Sequence, residues 1–480
     1  MSALKDKIKI IALSTTCHGL PNIMRNKTNK LIVPLWSISV MIFVGLSSYT
    51  FIQSLTVFLN YETINKIEFK RNSEKLLFPV VSICNLNPFI KKSSVKSIEK
   101  LLNDLNITDI VKSDVLDSTA GRFLNQHFTF TRFLFQSNLF NSTKEQKIQL
   151  LSDLNDIIIS CRYGLETCSA NDFDWFHSFD FGNCFKFKSD KKVTLPGKSN
   201  GLRMELMTDQ SDSINSLMFS SGIHLFINNQ SIDPLRAEGI DVSAGYETNI
   251  ALNKNSYIKL SDPYSDCVQD ILNQNEKSSY LFKLTLSNYK KYTRRACFDM
   301  CYQDYIVENC NCFSILFPNT TQNHEPCGLS VTKNKCNLDY HIKFYRSVSQ
   351  QKCPILCPVE CESAEFKIKL SFSNYPTKIY ADQLIKMNSK LEKFFQNNTI
   401  IDDEENFKQL RKNMLSLNVF YDDFDEMVVS EVPKTTVQDL IGIIGGNFGL
   451  FLGISILSFA ELIEILIEII IELLTKYILK

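Results

Sequence analysis

Four carboxylates near the end of the chain, Glu461, Glu464, Glu468 and Glu472, are separated by three, four and four residues. A helix places such positions along one stripe. Every residue between them is Ile or Leu. A carboxylate stripe on an otherwise apolar helix is costly at a membrane unless it faces water or protein. Two readings follow: a helix lining a cation path or its cytoplasmic mouth, or an amphipathic helix lying on the inner membrane surface. The preceding run, Leu440 to Ala460, carries no charge and is about as long as a bilayer-spanning helix requires. It contains Gly442, Gly445, Gly446, Gly449, Gly453, Ser455 and Ser458, and small residues let helices approach closely in a membrane. This run favours the ion-path reading.

The 480 residues carry 52 basic and 52 acidic side chains, a net charge of zero, which gives no support for a nucleic-acid partner. There is no G-x-S-x-G, no H-E-x-x-H and no phosphate-binding loop, and His18, His127, His177, His224, His324 and His341 are scattered. An enzyme is not expected, and no catalytic residue, cofactor or resident metal is assigned. Of fifteen cysteines, only Cys17 precedes the first long apolar segment; the others run from Cys84 to Cys361. An even number confined to one compartment predicts seven disulfides in an oxidising space. Zinc sites compete weakly, because the nearby histidines, His324 and His341, stand at no ligand spacing from Cys310-x-Cys312 or Cys357-x3-Cys361. Glycosylation sequons at Asn106, Asn141, Asn229, Asn319 and Asn397 occupy the same compartment. Channel, receptor and adhesion molecule remain; adhesion alone needs only one anchor helix and leaves the Gly, Ser and Glu of the second segment unexplained.

The elements that must position these groups follow from the chain in order. Residues 1–30 are basic (Lys5, Lys7, Lys9, Arg25, Lys27 and Lys30 against Asp6), and residues 31–61 are uncharged. The basic flank places the N-terminus in the cytoplasm. The expected layout is a cytoplasmic segment 1–32, a transmembrane helix 33–59, an extracellular domain 60–437, a second transmembrane helix with the pore 438–471 and a cytoplasmic tail 472–480. Both termini are then cytoplasmic, with membrane lipid as the surrounding partner. In the extracellular part, β-branched and alternating patterns predict strands at 76–89, 184–188, 201–207, 222–229, 249–253, 256–260, 366–372 and 414–422. Helices are expected at 95–105, 144–159, around 296–310 and as one long polar helix at 379–396. The fold class is a membrane protein with two transmembrane helices and a large disulfide-rich α+β extracellular domain.

Five segments carry a resemblance over nearly the full length. They are Thr16-Cys17-His18-Gly19-Leu20-Pro21-Asn22-Ile23 before the first span and Phe78-Pro79-Val80-Val81-Ser82-Ile83-Cys84-Asn85 after it. Two more are the cysteine clusters Cys297-x3-Cys301-x3-Tyr305 with Glu308-Asn309-Cys310-Asn311-Cys312, and Cys353-x3-Cys357-Pro-x2-Cys361. The last is Gly445-Gly446-Asn447-Phe448-Gly449-Leu450-Phe451-Leu452-Gly453-Ile454-Ser455. Together they resemble the degenerin, epithelial sodium channel and acid-sensing ion channel superfamily. Cys17–Ile23 and Gly449–Gly453 are similar to its neuropeptide-gated branch.

The resemblance implies a trimer around a pore, as a homomer or with related subunits, and a hand-like ectodomain of palm, β-ball, finger, thumb and knuckle. It implies the pairings Cys84–Cys184, Cys161–Cys168, Cys267–Cys361, Cys297–Cys357, Cys301–Cys353, Cys310–Cys336 and Cys312–Cys327. The family's Gly-x-Ser filter falls on Gly453, Ile454 and Ser455, with Ile replacing the usual Ala. Glu461 matches a pore carboxylate, and three of them would form a cation-favouring ring. Asp439 falls near the outer mouth, where a carboxylate ring would draw in calcium as well as sodium. His18 and Gly19 match a gating motif, and Tyr264 matches an aromatic that couples ectodomain to first span. The thumb segment 336–353 has Asp339 against Lys343, Arg346 and Lys352, not the paired carboxylates of a proton sensor. The resulting expectation is a plasma-membrane, sodium-selective, amiloride-sensitive, voltage-independent cation channel gated from outside by a peptide, such as an amidated neuropeptide. Proton or mechanical gating is the alternative within the family, and a non-conducting receptor or adhesion ectodomain the alternative outside it.

Overall fold

The structure, a computed structural model, describes residues 18–25, 31–71, 76–91, 93–94, 96–97, 100, 135–137, 139–188, 192–208, 220–229, 234, 238–268, 279–320, 324–397 and 403–478. Two compact units divide the chain: Met1–Lys66, Asp262–Ser265 and Glu431–Lys480 form one, and Ile67–Ser261 with Asp266–Ser430 the other.

The main helices are α1 (Leu20–Arg25), α2 (Ile32–Leu59), α3 (Lys144–Leu150), α4 (Leu154–Ile157), α5 (Tyr280–Asn288), α6 (Arg294–Cys310), α7 (Val331–Lys343), α8 (Cys353–Leu356), α9 (Lys378–Met387), α10 (Ser389–Asn397), α11 (Asp403–Asn413), α12 (Val437–Leu452) and α13 (Ile456–Ile478). The strands are β1 (Thr63–Arg71), β2 (Leu76–Leu77), β3 (Val80–Asn85), β4 (Ile158–Tyr163), β5 (Glu166–Thr167), β6 (Phe173–Ser178), β7 (Gly182–Phe187), β8 (Lys192–Val193), β9 (Leu202–Met207), β10 (Gly222–Asn228), β11 (Ile240–Ser243), β12 (Tyr246–Ile258), β13 (Glu362–Asn374), β14 (Met414–Tyr421) and β15 (Asp425–Pro433).

In the first unit, α2 is 28 residues of uncharged sequence and long and apolar enough to cross a membrane. Four of its hydroxyls turn back onto the helix: Ser37 donates to Val33 O, Thr50 to Leu46 O and Ser47 O, Ser54 to Thr50 O and Thr56 to Ile52 O, so these groups need no water. Helix α12 is apolar but only 16 residues.

The second unit is built on two larger sheets. The eight-stranded sheet runs β1-β15-β12-β14-β9-β4-β5, with β13 paired to β12. One edge of β12 takes all of β13 antiparallel; the other takes β14 and then β15 in succession, both parallel. The five-stranded sheet is β11-β10-β3-β7-β6. Phe78, Ile83, Phe185, Leu202, Met204, Leu206, Leu225, Ile250, Leu417 and Tyr421 belong to one buried core drawn largely from these strands. A separate core lies among α5 to α8, where Cys297, Met300, Cys301, Ile306, Phe344, Cys353 and Cys357 are buried. Helix α6 starts at Thr293, whose Oγ1 accepts from Ala296 N at 3.1 Å, and stops at Asn311 in left-handed backbone.

Several sequence expectations change. The strands expected at 249–253 and 256–260 are one strand, β12, held continuous by the full length of β13. The helix expected at 144–159 is two short helices, with Asp153 capping the second, and Ile158 and Ile159 open β4 instead. The long polar helix at 379–396 breaks at Asn388, whose side chain accepts from Lys390 N at 3.0 Å and restarts the chain as α10. The second span expected at 438–471 is two helices, and the helical backbone runs on to Ile478, through most of the expected tail. The helix expected at 95–105 falls largely outside the described residues.

Candidate functional site

Seven disulfides are present, with the pairings set out above: Cys84–Cys184, Cys161–Cys168, Cys267–Cys361, Cys297–Cys357, Cys301–Cys353, Cys310–Cys336 and Cys312–Cys327. Cys297 and Cys301 lie about one turn apart on α6. Their partners are successive in the reverse direction, so the bonds form rungs between antiparallel segments. Among the described residues, no three His, Cys, Asp or Glu side chains come together to hold a metal.

The candidate ion path lies in the first unit. Helix α12 begins at Thr436, whose Oγ1 accepts from Asp439 N at 3.1 Å while Asp439 Oδ2 accepts from Thr436 N at 3.0 Å and Thr436 Oγ1 at 2.7 Å. Asp439 is thus the third residue of a capping box, a local role that the sequence reading missed although Thr-x-x-Asp before an apolar run signals it. A Cβ added at Gly442, Gly445 or Gly446 would meet nothing within 4 Å among the described residues, so none of these fills that glycine face.

Helix α12 stops because Gly453 takes φ +70°. Its N–H returns to Gly449 O at 3.0 Å, and Ile454 N reaches Phe448 O at 3.2 Å, the pattern that closes a helix C-terminus. Gly453, Ile454 and Ser455 are therefore non-helical, and α13 restarts at Ile456 with Ser455 N donating to Ser458 Oγ at 3.0 Å. Such a gap in an apolar helix leaves carbonyls without intrahelical partners. These groups survive at membrane depth only where protein or water meets them.

One partner is already in place. His18 N donates to Leu452 O at 2.9 Å, and a Cβ on Gly453 would overlap His18 Nδ1. Gly19 is buried at φ +97°, and a Cβ there would overlap Val40 of α2. Two motifs near opposite ends of the chain thus meet through two glycines that no side chain could replace without displacement. Rings bind α2 to α12: Phe43 lies 6.2 Å from Phe451 and Phe51 5.8 Å from Phe448.

Glu461 is half-buried on α13, and Glu464 and Glu468 are exposed; the Glu472 side chain lies outside the described residues. Just beyond the end of α2, Tyr264 packs edge-on against Tyr61 at 5.4 Å. Lys434 bonds Glu62 through both main chain, at 2.9 Å, and side chain, at 2.6 Å. These contacts tie the end of α2 to the approach to α12. Of the sequons, Asn141 and Asn319 are exposed and Asn229 is half-buried; Asn397 has helical backbone at the end of α10, and Asn106 lies outside the described residues.

A family model for the amiloride-sensitive sodium channel matches residues 11–465. The epithelial sodium channel subunit alpha of Gallus gallus is 22% identical, over 97% of this chain and 81% of its own length. The FMRFamide-activated amiloride-sensitive sodium channel of Cornu aspersum is 23% identical, over 96% of this chain and 83% of its own. The epithelial sodium channel subunit beta of Rattus norvegicus is 28% identical, over 69% of this chain and 51% of its own. A helix break carrying the Gly-x-Ser motif, a His-Gly turn seated on it and a family match that takes in both ends of this arrangement lead to one conclusion: the chain belongs to the amiloride-sensitive sodium channel family.

Proposed function

We propose that this chain is a pore-forming subunit of a plasma-membrane, sodium-selective, amiloride-sensitive and voltage-independent cation channel, opened from outside by a peptide ligand. The break at Gly453–Ser455 carries the reading. Main-chain carbonyls and the Ser455 hydroxyl there can replace an ion's hydration shell. Three copies of Glu461 further along α13 would favour cations over anions, and Asp439 at the start of α12 would admit calcium to the outer mouth. The glycine face of α12, which no described residue fills, suits close packing with further subunits, homomeric or related, in a trimer. Both termini are then cytoplasmic, α12 and α13 together forming the second crossing, and Asn141, Asn229 and Asn319 are offered for glycosylation outside.

Peptide gating is preferred to proton gating because two thumb carboxylates have cationic partners rather than each other: Glu308 lies 3.6 Å from Lys352 and Glu325 3.3 Å from Lys333. A relative activated by FMRFamide points the same way. Ligand binding would shift a closed–open equilibrium, with Tyr264 on Tyr61 passing the change to α2. Whole-cell recording after expression tests this. Inward sodium current evoked by amidated peptides and blocked by amiloride is expected; current evoked by acidification and not by peptides would replace the peptide reading, and silence at the cell surface with each candidate related subunit would reject the channel.

A further inference from the structure

The outward face of the β4–β9 ladder holds an unusual charge arrangement. In its register Ser160 faces Glu205 and Arg162 faces Arg203, while Leu202, Met204 and Leu206 belong to the core. Two arginines directly opposite across a ladder repel one another. Glu205 offers them little relief. It is 5% exposed, and its oxygens are taken by Ser160 Oγ at 2.6 Å, Tyr375 OH at 2.9 Å and Tyr380 OH at 2.7 Å; Arg203 stands 4.0 Å away. Burial, then Glu205's hydrogen bond and charge, push the Tyr380 phenol up to about 12, so it remains a donor. Arg162 is exposed and has no side-chain hydrogen-bond or ion-pair partner among the described residues. Lys390, held on the carbonyls of Asn155 and Ile158, adds a third cation at the rim.

This face floors a cleft of about 740 Å³ whose other walls include Leu154, Ile158 and Phe173. That size suits a small organic molecule. Planar guanidinium groups suit an oxyanion bidentately, and the apolar walls suit a hydrocarbon or aromatic body.

We propose that the cleft between β4, β9 and α9 binds an amphipathic organic anion, with its carboxylate or sulfonate on Arg162 and Arg203 and its apolar body against Leu154, Ile158 and Phe173. The fixed Glu205–Tyr375–Tyr380 network holds the floor, so the ligand meets a preformed charge pair.

The test is calorimetric titration of the full chain in lipid nanodiscs with 2-naphthoate and, separately, with its uncharged counterpart 2-naphthalenemethanol, each corrected for empty nanodiscs. Saturable naphthoate binding is expected, weakened at least tenfold by Arg162→Gln and by Arg203→Gln, partly kept by Arg162→Lys, reduced by salt and absent for the alcohol. Arg162→Gln removes no internal side-chain bond, so an unchanged melting temperature certifies its fold. Equal binding of the alcohol, unchanged naphthoate affinity in both glutamine variants, or no saturable heat above empty nanodiscs would each overturn the proposal. Because binding is read without current, the outcome is independent of whether the channel opens to peptides.

Discussion

All seven disulfides lie in the unit drawn from Ile67–Ser261 and Asp266–Ser430, whereas the unit that carries α2 and α12 has none among the described residues. The cross-linked unit also holds buried cores around Leu202, Met204 and Leu206, around Cys297 and Cys357, and around Tyr375 and Leu391. The helical unit relies on glycines at positive φ, a helix break and ring contacts between α2 and α12. Cross-links suit a part that must keep its shape while ligands come and go. A backbone break stabilised by a few hydrogen bonds suits a part that must change between two arrangements.

The comparison can be broken most forcefully at the cross-links. Replacing Cys301 and Cys353 together by Ser removes one rung while Cys297–Cys357 still closes the wider loop, so the entropy lost is that of a short loop, about 3 kcal/mol. Thermal unfolding should show that loss, while the sodium-over-potassium preference of the channels that still reach the surface stays unchanged. A changed preference would mean that the cross-links shape the ion path directly.

His177 gives the next effect, again in the disulfide-bearing unit. Burial, followed by the charge of Lys147, holds its imidazole down to about 4, against an ordinary value of 6.5. On acidification the unfolded chain therefore takes up a proton first. The stability from neutral His177 is complete above pH 6.5 and is lost as pH falls toward 4, up to about 3 kcal/mol. Melting curves at about pH 7 and about pH 4.5, which bracket most of that window, should separate by less in His177→Gln than in the parent; equal separations would reject this account of the residue.

Gly453→Ala tests the other unit. Left-handed backbone costs a residue with a Cβ about 1–2 kcal/mol, or roughly tenfold in an equilibrium, and the overlap with His18 adds to it. Current per surface channel should fall by at least that factor, with the melting temperature of the cross-linked unit unmoved. Pairing it with His18→Ala should recover part of the current by removing the overlap. The smallest effect is expected from Thr436→Ala, which removes the cap of α12 and costs about 1 kcal/mol, read as reduced surface expression with selectivity retained.

Much of this is legible in the sequence, and for identifiable reasons. The uncharged run at 31–61 reads as a helix long and apolar enough to cross a membrane, and α2 covers Ile32–Leu59. The disulfide pairs come through family resemblance, since spacing alone leaves many connectivities open. What escapes depends on distant parts of the chain meeting. Nothing local in Cys17–Ile23 says that His18 rests on Gly453. Glu205 sits in a strand of mostly apolar residues, and only folding brings Tyr375 and Tyr380 to it. Asn388 splits a helix that polar composition alone continues, because its side chain competes for the backbone of the next turn. The Asp439 cap, by contrast, is written locally in Thr-x-x-Asp, and the expectation of a carboxylate at a pore mouth obscures it.

The central claim is that ions pass the break at Gly453–Ser455 and then the carboxylate of Glu461. Its most direct test is the reversal potential under bi-ionic sodium and potassium, compared between the parent, Ser455→Ala and Glu461→Gln at matched surface expression. A shift toward lower sodium preference in either variant is the predicted result; identical reversal potentials in all three, with current intact, would contradict it.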